Sequence, residues 1–256
     1  MAVIGPDFRA GLREALYRPF NPAGLAEAVG FFFVLVIGNQ MLQGIFGFGG
    51  IALTASALND ETALIRFLLL SVLPAGLLTG LLAWILARRR GADPRDVLAL
   101  RFPALGGLGW AIVVGGFLIA LYVLFGALSW LFGIDITSSG LVEQAVMQLA
   151  GDPLYLLIAG GLIIGAPIAE ELTFRGQIFA ALSQTRLGTS GAAALTSALW
   201  AGIHITQPFH IIALLFLMGL ALCWLLVRFG SLWVTIVCHA VWNAMSAVAL
   251  YSMAQP

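Results

Sequence analysis

Glu170 and Glu171 stand side by side in the stretch GAPIAEELTFRGQIF and are the last two acids of the chain, while all three histidines, His204, His210 and His239, come after them. An ionisable group inside an apolar run costs roughly 2.5–3.5 kcal/mol or more unless it is paired or faces water. These positions therefore need an explanation that a surface carboxylate would not. On a helix Glu171 and Arg175 are four residues apart and share a face, so that pair can neutralise itself. Glu170 points about 100° away and keeps its carboxylate for other work. The stretch SALWAGIHI puts Trp200 and His204 on one helical face, and CHAVWNA does the same for His239 and Asn243. Brought together, these groups have coherent chemistry: Glu170 as general base on a water molecule, His204 orienting that water, and His239 with Asn243 donating to the oxyanion formed at an attacked carbonyl. That is amide hydrolysis without a covalent nucleophile. A zinc site built from Glu170, His204 and His239 is the alternative, but the chain has no HExxH helix and Asn is an unusual ligand, so the metal-free reading is preferred. Each feature also has a structural reading. The acid pair can anchor a helix at the interface, a single His can bond two helices, His210 beside Pro208 can be interfacial, and Trp200 and Trp242 can be packing or belt residues. It is the joint occurrence in consecutive segments that points to function.

The elements that must position these residues are membrane helices. Of 256 residues 61% are hydrophobic and 9% charged, against about 25% charged for a soluble domain. Twelve acids balance twelve bases, every base is Arg, and no nucleic-acid surface is expected. Cys223 and Cys238 lie in apolar runs and read as small hydrophobes. Runs near the ~20 residues needed to span a bilayer fall at roughly 27–48, 66–87, 104–126, 153–173, 189–206, 209–228 and 231–252. The expected fold is thus all-α, a polytopic transmembrane bundle of about seven spans plus interfacial helices, forming a single membrane domain over 1–256. Residues 1–25 carry Arg9, Arg13 and Arg18 among Phe8, Leu12 and Leu16, with no apolar signal region, and read as a retained cytoplasmic interfacial segment. The remaining arginines group at 88–101, at Arg175 and Arg186, and at Arg228. Seven spans from a cytoplasmic N-terminus place these groups on one side and the Arg-free stretch around Asp135 and Glu143 on the other, with Arg66 as the exception. Residues 127–152 are too polar to span, and Leu141, Ala145 and Leu149 predict a connecting surface helix. Gly76 with Gly80, and Gly161 with Gly165, have the spacing that lets helices approach closely. Asn39 and Gln43 share a face of the first span and either line a cavity or bond another helix, the second being preferred.

Depth tests whether the site can assemble. With a hairpin at 187–189, Glu170 and His204 lie about 17 residues to either side, so antiparallel helices bring them level. Those legs are long enough that the fourth and fifth helices must run past the membrane face before turning. His239 lies only about nine residues beyond the turn at 229–231, so its arrival at the site calls for a shifted or broken helix, with QPFH at 207–210 a candidate break.

Taken in order, EELTFR, WAGIH and HAVWN resemble the EExxxR, aromatic-xxx-His and HxxxN elements of the CAAX protease and bacteriocin-processing family of intramembrane proteases, over roughly residues 150–250. That family includes the eukaryotic prenyl-protein endoprotease and bacterial lysostaphin-resistance-like proteins. The resemblance implies Glu170 and His204 as the water-activating pair, His239 and Asn243 as the oxyanion site, and Glu171 and Arg175 in support. Trp200 departs from the more usual Phe. The chain is expected in a bacterial inner membrane, where a prenylated substrate is not expected and a membrane-tethered or secreted peptide is. Two other readings stay open: a binding or immunity protein that uses the same residues as structural glue, and a transporter with a proton relay. The transporter would ordinarily show internal repeats, and here the ionisable groups sit in one half.

Overall fold

The computed structural model describes residues 25–52, 61–88, 93–133 and 141–255. The expected interfacial segment, residues 1–25, lies outside them but for Leu25, as do Arg89 and Arg90. All regular structure among the described residues is helical. Helix α1 is a continuous run of Leu25–Phe31, a π-wound Phe32–Ile37 and Gly38–Ala52. There follow α2 (Glu61–Arg88), the short α3 (Pro94–Val97), α4 (Gly107–Phe132) and α5 (Leu141–Gln148). Next come α6, which runs unbroken through Tyr155–Leu182, α7 (Gly188–Gly202), α8 (Phe209–Phe229) and α9 (Leu232–Met253).

Six of these helices, α1, α2, α4, α6, α8 and α9, are long and apolar enough to cross a membrane, so the chain is a polytopic integral membrane protein. The seventh expected span is different. Helix α7 has 15 residues, about 22 Å at 1.5 Å per residue, and falls short of a ~30 Å core. Six non-helical residues, 203–208, follow it. Gln207 at the end of that stretch donates to both oxygens of Glu143 in α5 at 3.0 Å, on the face opposite the α6–α7 turn. The segment therefore covers the full depth as a short helix plus an irregular leg, and Pro208, which supplies no N–H, precedes the next helix. Irregular backbone is tolerated at membrane depth only where protein or a wet cavity surrounds it.

The glycine spacings act as expected. A methyl at Gly76 of α2 would overlap the Gly165 carbonyl of α6, and one at Gly165 would come within 2.8 Å of Leu73 Cα. The two helices thus touch backbone to backbone. The predicted surface helix exists as α5, with Ala145 and Val146, and Leu149 just past its end, buried against Tyr155 and Ile158. Arg66, the exception to the arginine pattern, is paired with Asp152 at 2.7 Å, so its charge is answered locally. Arg175 is no loop charge at all; it is wholly buried. Cys223 and Cys238 are both buried and free.

Helix α9 lies antiparallel to α6. Gly176 is level with Leu232, Glu171 with His239, Leu162 with Asn243, and Tyr155 with Ala247. No shift or break in α9 is needed to bring His239 in. The α8–α9 turn is level with Gly176, whereas α6 runs on to Leu182, about 9 Å farther at 1.5 Å per residue. The two turns lie at different heights, so the shorter leg to His239 still ends level with Glu171.

Candidate functional site

The site is assembled from α6, α7 and α9. Near its middle α6 is wound unevenly, with π turns at Gly161–Gly165 and Glu171–Phe179 on either side of Ala166–Glu170. Such wide turns inside α-helices recur at functional positions. Pro167 sits in the short α-helical piece between them.

Glu171 and Arg175 are both fully buried and bonded at 2.9 Å, the self-neutralising pair read from their spacing. Arg175 also reaches the Gly219 carbonyl of α8 at 3.5 Å, and its guanidinium lies 4.5 Å from the centre of the Trp200 ring. The His239 Nδ1–H donates to the same Glu171 oxygen at 3.0 Å, since a carboxylate can only accept. That leaves Nε2 of His239 facing Glu170, 3.9 Å from its Oε2.

Glu170 differs from its neighbour in exposure: its side chain is 19% accessible where that of Glu171 is 0%. It lines a cavity of about 60 Å³, room for water, whose other polar walls include Thr173, Thr79, Asn39, Gln40 and Gln43. Trp200, fully buried, donates its indole N–H to Glu170 Oε2 at 2.5 Å and stands edge-on to both His204 and His239. Trp200 is a core packing residue, as its structural reading has it, and carries this hydrogen bond besides. A buried indole needs a partner for its N–H, and here the partner is the candidate base.

The structure brings Glu170, Glu171, Arg175, Trp200 and His239 into one cluster. His204 joins it at the side, in the turn just past α7. Its Nδ1–H donates to the Trp200 carbonyl at 2.9 Å, which leaves the Nε2 lone pair unused by that bond. Asn243 is one turn beyond His239, and its amide donates to the Leu162 carbonyl of α6 at 2.8 Å rather than to Glu170. The alternative zinc set of Glu170, His204 and His239 is not gathered: among the described residues no three His, Cys, Asp or Glu side chains converge as a metal requires. One oxygen of Glu170 is held by the indole, and the His204 ring is turned by its bond to the backbone. His210 stands in the first turn of α8, away from these contacts.

Asn39 satisfies both readings made of it, whereas Gln43 lines the cavity and bonds only Asn39 of its own helix. Asn39 donates to Thr79 of α2 at 2.8 Å, and both residues line the cavity shared with Glu170.

Helices at membrane depth that gather a carboxylate, an indole, an imidazole and a buried ion pair, with the carboxylate alone of these lining a cavity large enough for water, define a polytopic membrane protein with an internal polar site. Residues 152–245 match the family model described as Rce1-like, type II CAAX prenyl endopeptidase Rce1-like. The matched residues contain all three motif elements, from Glu170 to Asn243. No curated protein and no solved structure matches the chain.

Proposed function

We propose that the chain is an intramembrane endopeptidase, hydrolysing a peptide bond of a membrane-associated protein or peptide in a bacterial inner membrane, with its N-terminus cytoplasmic and residues 150–250 as the catalytic part of one membrane domain. The observation that carries this reading is the difference between two adjacent carboxylates. Glu171 is locked in an ion pair, while Glu170 opens onto a cavity with an imidazole nitrogen 3.9 Å away.

In this mechanism the Glu170 oxygen not engaged by Trp200 takes a proton from a water molecule, whose oxygen attacks the substrate carbonyl. The His204 Nε2 lone pair accepts the water's other O–H and orients it. As the C–O double bond opens, the oxyanion is met by His239 Nε2. Because Nδ1 already donates to Glu171, His239 can donate from Nε2 only as an imidazolium, and the Glu171 carboxylate is the countercharge for that cation. The second N–H of Asn243 is available to the same oxyanion. Collapse breaks the C–N bond, and the proton held by Glu170 passes to the leaving amine. Trp200 fixes the base in place, a task that a Phe at this position could not perform by hydrogen bonding.

The test uses the purified full chain reconstituted with membrane vesicles of its host, with new peptide termini read by mass spectrometry. Termini produced by the wild type should fall about 10³-fold in Glu170→Gln, with insertion and melting unchanged. Equal cleavage by Glu170→Gln overturns the mechanism.

A further inference from the structure

Helix α1 is the most exposed of the spans, with 6% of its apolar window buried, yet it carries three amide side chains within five residues, Asn39, Gln40 and Gln43. Polar groups on so exposed a helix are costly in hydrocarbon, and these are organised. Gln43 donates to Asn39 Oδ1 at 2.7 Å, Asn39 donates to Thr79 Oγ1 at 2.8 Å, and Thr79 donates to the Ala75 carbonyl at 2.8 Å. The relay pins the first two amides and leaves the Gln43 carbonyl oxygen uncommitted. Gln40 is exposed and has no partner among the described residues. All three amides line the cavity that Glu170 lines from the other side.

A peptide bond can be attacked only where its carbonyl is accessible, which a wound transmembrane helix does not allow. Unwinding a segment in the bilayer orphans backbone N–H and C=O groups, each costing several kcal/mol in hydrocarbon. Amide side chains offer both a donor and an acceptor and so match such backbone groups in kind. We infer that Asn39, Gln40 and Gln43 form a substrate-binding wall for an unwound, extended peptide segment, with Gln40 and Gln43 bonding its main chain while Glu170 faces the bond to be cut. The inference rests on the reading of Glu170 as the base, but it concerns binding and can fail or hold separately.

The probe is a pair of fluorescent 20-residue Leu/Ala peptides in liposomes, one with a central Gly-Pro-Gly that breaks the helix and one without. Binding is measured with the Glu170→Gln protein, so that cleavage plays no part. The broken peptide should bind more tightly than the continuous one. Gln40→Leu with Gln43→Leu should weaken that binding roughly tenfold, the loss of two modest hydrogen bonds, while leaving the continuous peptide unaffected. Asn39 is left intact because its bond to Thr79 holds α1. Replacing a central amide of the broken peptide by an ester should weaken binding to the wild-type wall and not to the double variant. Equal binding of the two peptides, or a double variant that binds as the parent does, overturns the inference. Failure of the wild type to cut a peptide that it binds in this manner would overturn the proteolytic reading and leave this one standing.

Discussion

Pro167 and Asn243 should be energetically coupled although they lie on different helices. In the π-wound turn before Pro167, the Ala166 N–H bonds to the Gly161 carbonyl, five residues back. Continued by one residue, that register would give the Leu162 carbonyl to the N–H of residue 167, and proline has none. The vacant acceptor is taken by the Asn243 amide at 2.8 Å. Asn243→Ala therefore leaves a carbonyl without a donor at membrane depth, a cost of about 1–3 kcal/mol. Double-mutant measurements on other membrane proteins average nearer 0.6 kcal/mol, because the unfolded chain also finds partners. Pro167→Ala restores the N–H, so Asn243→Ala on that background should cost less, with a coupling energy of about 1 kcal/mol. Unfolding in bicelles by added SDS, followed by tryptophan fluorescence, gives all four corners of the cycle. Additivity within ~0.3 kcal/mol would refute the pairing. Cleavage by the double variant separates two roles: recovery marks Asn243 as a plug for α6, and persistent loss marks it as a donor to the oxyanion.

Arg175→Met leaves Glu171 buried without its cation and should destabilise the protein by roughly 3–5 kcal/mol, visible as a lowered melting temperature; Glu171→Gln together with Arg175→Met should recover part of that loss. Trp200→Phe keeps the packing but removes the indole donor from Glu170, and should lower kcat about tenfold, with KM and the melting temperature nearly unchanged. Outside the spans, the Arg101 guanidinium bonded to Asp96 holds that carboxyl below its usual range. A depressed carboxylate stabilises the fold above its unfolded pKa, and that contribution fades as pH falls through the folded value. Asp96→Asn should therefore lower the melting temperature slightly near neutrality and have no effect in strong acid, and salt should shrink the difference.

Much of the site is legible in spacing alone, because one helical turn is enough to join Glu171 to Arg175 and to stack His239 on the face of Asn243. What spacing does not supply is height. Counting residues from each turn leaves His239 short of Glu170, because the count does not say how far past Gly176 the α6–α7 turn lies. Nor does hydropathy reveal that the segment from Gly188 to Pro208 is helical for 15 residues only, since Ile203 and Ile205 are as apolar in a turn as in a span. The bond from Trp200 to Glu170 is a side-chain contact between residues 30 apart, and the unusual Trp was its one trace in the sequence.

The contact between Gly76 and Gly165 has a mechanical consequence. Two main chains already touching cannot be levered apart by side-chain rotation, so α2 and α6 are welded into one slab. The opposite wall of the cavity, α1, is the most exposed of the spans, yet it too packs closely on α2, where a methyl at Gly47 would meet Leu68. Glu170 rides on the slab, so the place of its backbone is set by main-chain contact and not by the choice of rotamers around it.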